Sequence, residues 1–403
     1  MANSRLMINI KGISAYMLPR KLFQNRLSRV FDEILRLDDG ALGRIKDRLN
    51  YYNQISQDFS GLFKGSESGE NAENSANLQG KNAQSLQNSL NLQDKIRQNA
   101  NREHLQGAQN LANLQDIYSK NPQNTLNLQA PQAEQSPQAL RERTPEKENI
   151  NKFPFSKTTY YFDSYELTKY FDDKLLWFKK FGDVAQHLLA PSICKSRLIG
   201  EGNENNILLK LDKDRHFGFV KDTFKFEDKK PQAVWRGAAF QANRAEFLRA
   251  YAGREFCDVA DARAGGLHRR TNYLSKRAQM GFRYIIALEG NDVASNLKWA
   301  MFSNSLVIAT AMRCETWFME GRLRAGEHFV LCDNENLGDI VEHYNAHPSE
   351  ARDIIECAHR YVAQFLDEKM EFYIGILVLA KYFYFSGQME LPSGILDFVR
   401  GQK

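Results

Sequence analysis

From Phe153 onward the chain alternates between short apolar runs and longer segments of mixed polarity. Apolar runs at Ala233–Trp235, Tyr284–Leu288 and Ser305–Ala309 have the length of buried strands, and each is followed by polar residues and an amphipathic stretch. A repeated order of strand and helix is typical of a parallel sheet covered by helices. The pattern therefore predicts an α/β fold for this half of the chain.

Two shorter apolar runs precede that region. Residues Asn206–Leu211 and His216–Val220 flank the tripeptide Asp212-Lys213-Asp214, which predicts two strands joined by a hairpin turn. Two aspartates at this spacing are also able to hold a divalent cation. The turn interpretation is favoured, and no metal site is predicted.

The N-terminal part predicts a basic amphipathic helical stretch between residues 21 and 49. A face directed at the protein core is the favoured interpretation. Contact with an anionic membrane surface is the alternative, because Lys21, Arg26 and Arg29 lie beside Leu22, Phe23 and Leu27.

Residues 65–150 differ in composition from the rest of the chain. They are rich in Asn, Gln, Ser, Ala and Leu, and the tripeptide Asn-Leu-Gln recurs at residues 77, 91, 113 and 127. Such a segment has too few apolar groups to offset the entropy of an ordered chain. We expect a disordered or loosely helical low-complexity insert that is dispensable for chemistry.

Composition limits the class of protein. The chain has 403 residues, 42% of them hydrophobic, and a formal charge of +5 without a Lys/Arg block, which suits an anionic ligand or a membrane surface and does not indicate nucleic acid. Five widely spaced cysteines predict reduced thiols and a cytoplasmic protein. No signal peptide is predicted, and the longest apolar run, Phe372–Phe385, is too short to cross a bilayer.

The seam after the run Tyr284–Leu288 is the first candidate for chemistry. Gly290 permits positive φ or close approach of a ligand, and Asn291 or Asp292 is a suitable N-cap for a helix over residues 293–301. Free amides at such a helix start attract phosphate, and Lys298 lies one turn further on. A simple capped crossover without a ligand is the alternative.

Two further features favour an anion at the same edge. Arg236 and Gly237 end a predicted strand and Arg244 follows, so two guanidinium groups, which bind phosphate in bidentate fashion, are expected there. Glu315 follows the run Ser305–Ala309 and has a carboxylate that accepts hydrogen bonds from sugar hydroxyls. Solvated or paired arginines, and a core position for Trp317 and Phe318, are the alternatives.

Taken together, these motifs resemble glycosyltransferase family 90. The resemblance covers roughly residues 160–385 and is closest to the bacterial branch that modifies lipopolysaccharide. It rests on Trp235-Arg236-Gly237 with Arg244, on LEGNDVASNLKW (288–299), on ETWFMEG (315–321), on His328-Phe329-Val330 and on AHRYVAQF (358–365).

The resemblance implies a GT-B-like architecture, in which two Rossmann-like domains face a cleft, and metal-independent, inverting transfer from a UDP-sugar. The implied division is an acceptor domain at 1–64 and 151–230, interrupted by the insert at 65–150, a donor domain at 231–385 and a tail at 386–403. The implied donor-binding residues are Arg236, Gly237, Arg244, Gly290, Asn291, Asp292, Ser295, Lys298 and Glu315.

On the acceptor side the resemblance points to Lys195, Ser196 and Arg197. Related enzymes carry an aspartate base shortly after a Lys-Ser or Lys-Thr pair, whereas this chain has Asn205 and Asn206 near the equivalent position. The substitutes left open are Asp163, Asp183, Asp212 and Asp214, and Asp183 is preferred because it precedes a predicted loop of the cleft.

The implied function is transfer of a sugar from a UDP-sugar to a lipopolysaccharide or lipooligosaccharide core, or to another lipid-linked saccharide. No cofactor is expected besides the UDP-sugar substrate, and no nucleic acid partner. The expected location is the cytoplasm, with peripheral contact at the cytoplasmic face of the inner membrane. The alternative is a non-catalytic carbohydrate-binding or assembly protein with a degenerate site.

Overall fold

The computed structural model describes residues 20–63, 145–154, 156–262, 273–333 and 335–400, and they belong to one compact unit. Most of the predicted insert, residues 65–144, lies outside the described residues. The strands are β1 Glu146–Asn149, β2 Leu176–Lys180, β3 Ser192–Cys194, β4 Ser196–Leu198, β5 Asn206–Leu208, β6 Lys230–Gly237, β7 Cys257–Asp261, β8 Phe282–Ala287, β9 Leu306–Ala309, β10 Cys314–Thr316 and β11 Val330–Leu331.

Helices surround these strands on the described part of the chain. They are α1 Lys21–Gln24, α2 Leu27–Leu35, α3 Asp39–Tyr52, α4 Thr158–Thr168, α5 Lys213–His216, α6 Ala242–Tyr251, α7 Lys276–Gln279, α8 Leu297–Met301, α9 Leu337–Ala346, α10 Pro348–Ala363, α11 Glu368–Phe385 and α12 Ser393–Arg400.

The second half of the chain forms a five-stranded parallel sheet in the order β7-β6-β8-β9-β11. Its central strands are buried on both faces, which explains the uninterrupted apolar run Tyr284–Leu288. The α/β prediction for this region is confirmed. The strand order reverses direction between β6 and β8, so the sheet has a topological switch point there.

The first half contributes a four-stranded sheet in the order β1-β2-β3-β5, in which β1 is antiparallel and the other neighbours are parallel. Strand β1 comes from the last residues of the predicted insert. A short antiparallel pair, β4 with β10, links the two halves of the chain. The α/β class is thus observed, while the GT-B arrangement and the domain boundaries stay predictions.

The N-terminal stretch is helical, as predicted, and α2 buries Val30, Phe31 and Ile34 in the core. Lys21, Arg26 and Arg29 are exposed on the other side. The apolar run Phe372–Phe385 lies within α11, which is buried over most of its length. No helix of the described ranges is both long and apolar enough to cross a membrane.

The predicted hairpin at Asp212–Asp214 is wrong. Asp212 has a left-handed backbone, with φ of 55°, and the chain after it turns into α5 instead of a second strand. The backbone N–H of Lys213 donates to the Asp163 carboxylate at 2.9 Å, which fixes the start of this helical turn. Residues 217–220 then continue without strand pairing.

Candidate active site

The candidate site begins at the carboxyl ends of β6 and β8, on the two sides of the switch point. Open parallel sheets bind their ligands at this place because the strand ends and following loops diverge there. The end of β6 carries Gly237, where an added Cβ would lie 2.6 Å from the Trp235 ring. Glycine is therefore required for the strand to end against the indole.

Arg244, on α6, connects the two strand ends. Its guanidinium donates to the backbone oxygen of Ala238, after β6, at 3.0 Å, and to those of Leu288 and Glu289, after β8, at 2.8 and 2.9 Å. An arginine has five N–H donors, so two remain beyond these three bonds. Burial, followed by the charge of Arg215, lowers the pKa of Arg244 below its ordinary value.

Gly290 lies beside the guanidinium of Arg244. Its φ is not positive, which excludes the first of the two reasons suggested for glycine at this position. A Cβ at Gly290 would lie 3.1 Å from Nη2 of Arg244, so the glycine admits the guanidinium rather than a left-handed turn.

The predicted N-cap at Asn291 or Asp292 is wrong, because the helix begins only at Leu297, with Asn296 before it. Asn296 donates from Nδ2 to the backbone oxygen of Ile286 at 2.8 Å, which turns the chain back against β8. Ser295 is half-buried in the preceding bend. Residues 291–296 thus do not present the helical amides that the sequence suggested.

Asp292 instead forms an ion pair across the junction of the two halves of the chain. Nζ of Lys195, which lies between β3 and β4, is 2.8 Å from Oδ2 of Asp292 and 2.6 Å from Oδ1 of Asp183. Asn291 donates from Nδ2 to the other oxygen of Asp183 at 3.1 Å. Residues predicted separately for the donor and acceptor sides therefore lie together.

Exposure differs sharply within this group. Lys195 and Asp292 have side chains that are 1% and 3% exposed, whereas Asp183 is 26% exposed. Asp183 and the hydrogen-bonded Asn291 form the accessible rim of this group. Partial burial raises the pKa of the Asp183 carboxyl, but the Lys195 charge and the hydrogen bonds from Lys195 and Asn291 outweigh it, and the pKa is lowered. Asp183 is therefore an ionised, accessible carboxylate at neutral pH.

Ser196 and Arg197 are the other predicted acceptor-side residues, and both are buried next to Lys195. Oγ of Ser196 accepts a hydrogen bond from the backbone N–H of Val184 at 2.9 Å, directly after Asp183. Nε of Arg197 donates to Glu315 at 2.7 Å across the β4–β10 pair. Lys195 and Ser196 thus hold the segment around Asp183, and Arg197 joins the two halves of the chain.

Glu315, the partner of Arg197, is buried among several hydrogen-bond donors. Its carboxylate also accepts hydrogen bonds from the Tyr51 hydroxyl and from the backbone N–H of Gly321, and the residue is 2% exposed. Trp317 and Phe318 are buried beside it, which confirms the core interpretation for both. The predicted contact of Glu315 with sugar hydroxyls stays a prediction.

Two predicted cations, Arg236 and Lys298, are held by other carboxyl-bearing residues. Arg236 donates from Nη1 and Nη2 to Asp258 on β7, each at 2.6 Å. Lys298 is completely buried on α8, where its ammonium pairs with Glu320. Burial lowers the pKa of Lys298 despite that partner. The structure therefore brings Arg244, Gly290, Asn291, Asp292, Asp183 and Lys195 together, whereas Arg236 and Lys298 bond to Asp258 and Glu320. Lys298 is still close enough to Asp292 and Lys195 for their charges to affect its pKa.

The tripeptide Asp212-Lys213-Asp214 has two aspartates at a spacing that can hold a cation, and the side chain of Asp212 lies 3.7 Å from Arg215 and 3.8 Å from His216. A group of side chains with the spacing of metal ligands lies elsewhere. Within the described ranges, the ligand atoms of His343, His347 and Glu350 lie within 4.8 Å of one another on the exposed junction of α9 and α10. This group is remote in sequence from every predicted site residue.

Comparison with known proteins decides the family. The model of glycosyl transferase family 90 matches residues 215–384. O-glucosyltransferase LpsA of Dichelobacter nodosus is 42% identical over 236 residues, which make up 57% of this chain and 74% of that protein. The chain belongs to glycosyl transferase family 90. This confirms the resemblance drawn from the motifs and makes the protein a glycosyltransferase.

The rim of this glycosyltransferase includes residues that the sequence did not single out. Arg215 on α5 has a side chain that is 47% exposed, and its charge lowers the pKa values of both Asp183 and Arg244. Tyr160 interacts electrostatically with Lys195 and Asp183, and burial raises the pKa of its hydroxyl to about 12. The hairpin predicted at Asp212–Asp214 gave no reason to single out Arg215, which lies in the helical turn α5.

Gln241 is a third residue that the sequence did not single out. Its Nε2 donates to Oδ1 of Asn291 at 2.9 Å, just before α6 begins. In this glycosyltransferase a chain of side chains therefore runs from the end of β6 through Asn291 to Asp183. No sequence signal marks Gln241, because a single glutamine before a helix is an ordinary surface residue.

Proposed function

We propose that this glycosyltransferase moves a hexose from a UDP-sugar to a hydroxyl group of a lipopolysaccharide or lipooligosaccharide core. Family membership supports the glycosyl transfer, and the name of the relative, O-glucosyltransferase LpsA, makes UDP-glucose the first donor to test. The observation that carries the proposal is the ionised Asp183 held by Lys195 and Asn291 beside the switch point.

The proposed donor site lies over the ends of β6 and β8. Arg244 has two N–H donors left for the diphosphate, and the exposed Arg215 adds a second cation at the same rim. Gly237 and Gly290 keep side chains out of this space. Arginine suits this task because its planar fork matches phosphate oxygens.

The proposed base is Asp183. As the acceptor hydroxyl attacks the anomeric carbon, its proton passes to the Asp183 carboxylate, and the bond between that carbon and the diphosphate oxygen breaks. UDP departs with the electron pair and the proton returns to solvent. Direct attack from the face opposite UDP inverts the anomeric configuration. Cationic groups, rather than a metal, stabilise the leaving diphosphate in this scheme.

The proposed acceptor is membrane-bound, so the proposed location is the cytoplasmic face of the inner membrane. Lys21, Arg26 and Arg29 are exposed on α1 and α2 and beside them, and Leu22 is 54% exposed among them. Basic residues around an exposed apolar side chain suit an anionic lipid surface. Binding of the full chain to anionic vesicles, compared with neutral ones, tests this part separately.

The transfer is tested by incubating the protein with a panel of UDP-sugars and extracted core oligosaccharide. Mass spectrometry is expected to show addition of one hexose, NMR its inverted anomeric configuration, and EDTA no loss of rate. Asp183→Asn serves as the inactive comparison. Absence of any mass increase with every UDP-sugar, while the protein is folded, contradicts the proposal. Retained configuration contradicts the mechanism alone.

A further inference from the structure

Buried cations in the described part of the chain follow one rule, with one exception. Six buried lysines and arginines each lie within 4 Å of a carboxylate: Arg48 with Glu371, Lys179 with Glu148, Lys195 with Asp183, Arg197 with Glu315, Lys229 with Asp222, and Lys298 with Glu320. Lys381 is 5% exposed, and its ammonium donates a hydrogen bond to Oδ1 of Asn50 at 3.4 Å. No carboxylate of the described residues pairs with it.

Lys381 interrupts α11, the most apolar of the helices in the described ranges. It lies on α11 among buried residues such as Leu379, Ala380 and Tyr382. An isolated ammonium in such surroundings is unfavourable, because burial removes water from the charge without replacing it. Burial accordingly lowers the pKa of Lys381 to about 8. An apolar residue at this position would avoid that cost, so the lysine needs an explanation outside packing.

The side chain of Lys381 lines a cavity of about 610 Å3. Asn50, Gln54 and Ser56 supply further polar groups, and Arg400 of α12 supplies a second cation. The volume falls within the range of small-molecule sites. Asp58 and Glu390 lie on a neighbouring cavity that shares Phe385 and Arg400, so the end at Lys381 is the cationic one.

We propose that this cavity binds a phosphate monoester, such as a sugar phosphate, with its phosphate group against Lys381 and Arg400. Two cations match the two charges of the monoester, and the amide and hydroxyl groups of Asn50, Gln54 and Ser56 match sugar hydroxyls. None of these residues belongs to the rim around Asp183. The site is therefore separate from the transfer reaction and does not depend on the proposed donor or acceptor.

The test measures binding of glucose 6-phosphate to the full chain by calorimetry, at constant ionic strength. Wild-type protein and Lys369→Met, which alters an exposed lysine on the same helix, are expected to bind equally. Lys381→Met is expected to weaken binding at least tenfold, and Arg400→Gln to weaken it less. Methionine at position 381 is expected to fold, since apolar replacement of a buried charge is often neutral or stabilising.

A second arm identifies the source of the phosphate. Vesicles containing phosphatidic acid replace glucose 6-phosphate, and binding that Lys381→Met abolishes would assign a lipid-borne phosphate to the cavity. Binding of the soluble ester that Lys381→Met weakens, with vesicle binding unchanged by the same substitution, would assign a sugar phosphate. The proposal is overturned when glucose 6-phosphate does not bind the wild-type protein up to about 10 mM and Lys381→Met leaves vesicle binding unchanged, because such vesicle binding would belong to the exposed basic residues of α1 and α2. It is equally overturned when Lys381→Met binds as well as wild type.

Discussion

Nζ of Lys195 lies 2.6 Å from Oδ1 of Asp183, although the lysine is almost fully buried and the aspartate is at the rim. Burial disfavours the charge of Lys195, but Asp292 and Asp183 outweigh it and raise the pKa of the ammonium above its ordinary value. The lysine therefore stays charged and keeps Asp183 ionised. This pair links the buried junction of the two halves to the partly exposed carboxylate of Asp183.

Replacing the proposed base gives the most direct prediction. Asp183→Asn keeps the size of the side chain but removes the proton acceptor, and we expect kcat to fall by about 10²–10⁴ with little change in KM for the donor. Steady-state kinetics with purified acceptor measures both constants. Asp173→Asn, at an exposed aspartate, is the matched control and is expected to retain wild-type turnover. Equal kcat in the two variants contradicts the assignment.

Arg244 is expected to affect donor binding and stability together. Arg244→Ala leaves the backbone oxygens of Ala238, Leu288 and Glu289 without its three hydrogen bonds, which costs about 1–3 kcal/mol in free energy of unfolding. It also removes the proposed diphosphate contact, so KM for the UDP-sugar is expected to rise. Urea unfolding and initial rates measure these effects separately.

The control for Arg244 lies on the same helix. Arg249 is exposed on α6 and donates only a 3.4 Å bond to the backbone oxygen of Ala245. Arg249→Ala is expected to leave both KM and stability within error of wild type. A variant at Arg244 that loses stability but keeps donor KM would separate the structural role from the proposed binding role and remove the latter.

Asp163 gives a prediction for the pH dependence of stability. Burial raises its pKa to about 7, although Lys213 opposes the shift. Between the unfolded pKa, about 4, and that value the folded protein binds the proton more tightly, so stability falls as pH rises, by up to about 1.4 kcal/mol per pH unit. Below about pH 4 the contribution is fully present.

Asp163→Asn removes this titration while keeping an oxygen for the backbone N–H of Lys213. The variant is therefore expected to gain on wild type as pH increases from about 4 to 7, with a constant difference above that range. Urea unfolding at several pH values measures the difference in free energy. A difference that is the same at every pH would show that Asp163 does not titrate as inferred.

The sequence predicted the parallel sheet of the second half well, because its strands are apolar throughout and each is followed by a polar loop. It also placed Gly290 and Arg244 at one edge, since the carboxyl ends of parallel strands meet there. The helix start was misplaced because Asp292 suits an N-cap by residue type. Its actual partner, Lys195, is 97 positions away in the chain, and local patterns do not reveal such a contact.

The hairpin at Asp212–Asp214 failed for a related reason. Asp-Lys-Asp between apolar residues is a favourable turn, but the carboxylate of Asp163, from a distant helix, accepts the backbone N–H of Lys213 and starts a helical turn. Lys298 likewise looked like an anion ligand because it follows the glycine seam. Its burial against Glu320 depends on tertiary packing of α8.

Lys298 and Glu320 allow a structural role to be separated from a binding role. Lys298→Met leaves the buried Glu320 carboxylate without its cation, which is expected to destabilise the protein by about 3–5 kcal/mol. The double variant Lys298→Met/Glu320→Gln removes both charges and is expected to recover most of that loss, because the amide can still accept the 2.7 Å bond from the backbone N–H of Thr316. Urea unfolding measures both variants.

Donor kinetics of the same double variant then decide what Lys298 does. If Lys298 only stabilises the interior, the double variant is expected to have the wild-type KM for the UDP-sugar as well as wild-type stability. Lys230→Met, which changes an exposed lysine, is the control and is expected to show the same KM. A double variant that is as stable as wild type and still has a raised KM would show that Lys298 leaves Glu320 to contact the diphosphate. In that case the Lys298 ammonium would exchange the Glu320 carboxylate for the diphosphate when the donor binds.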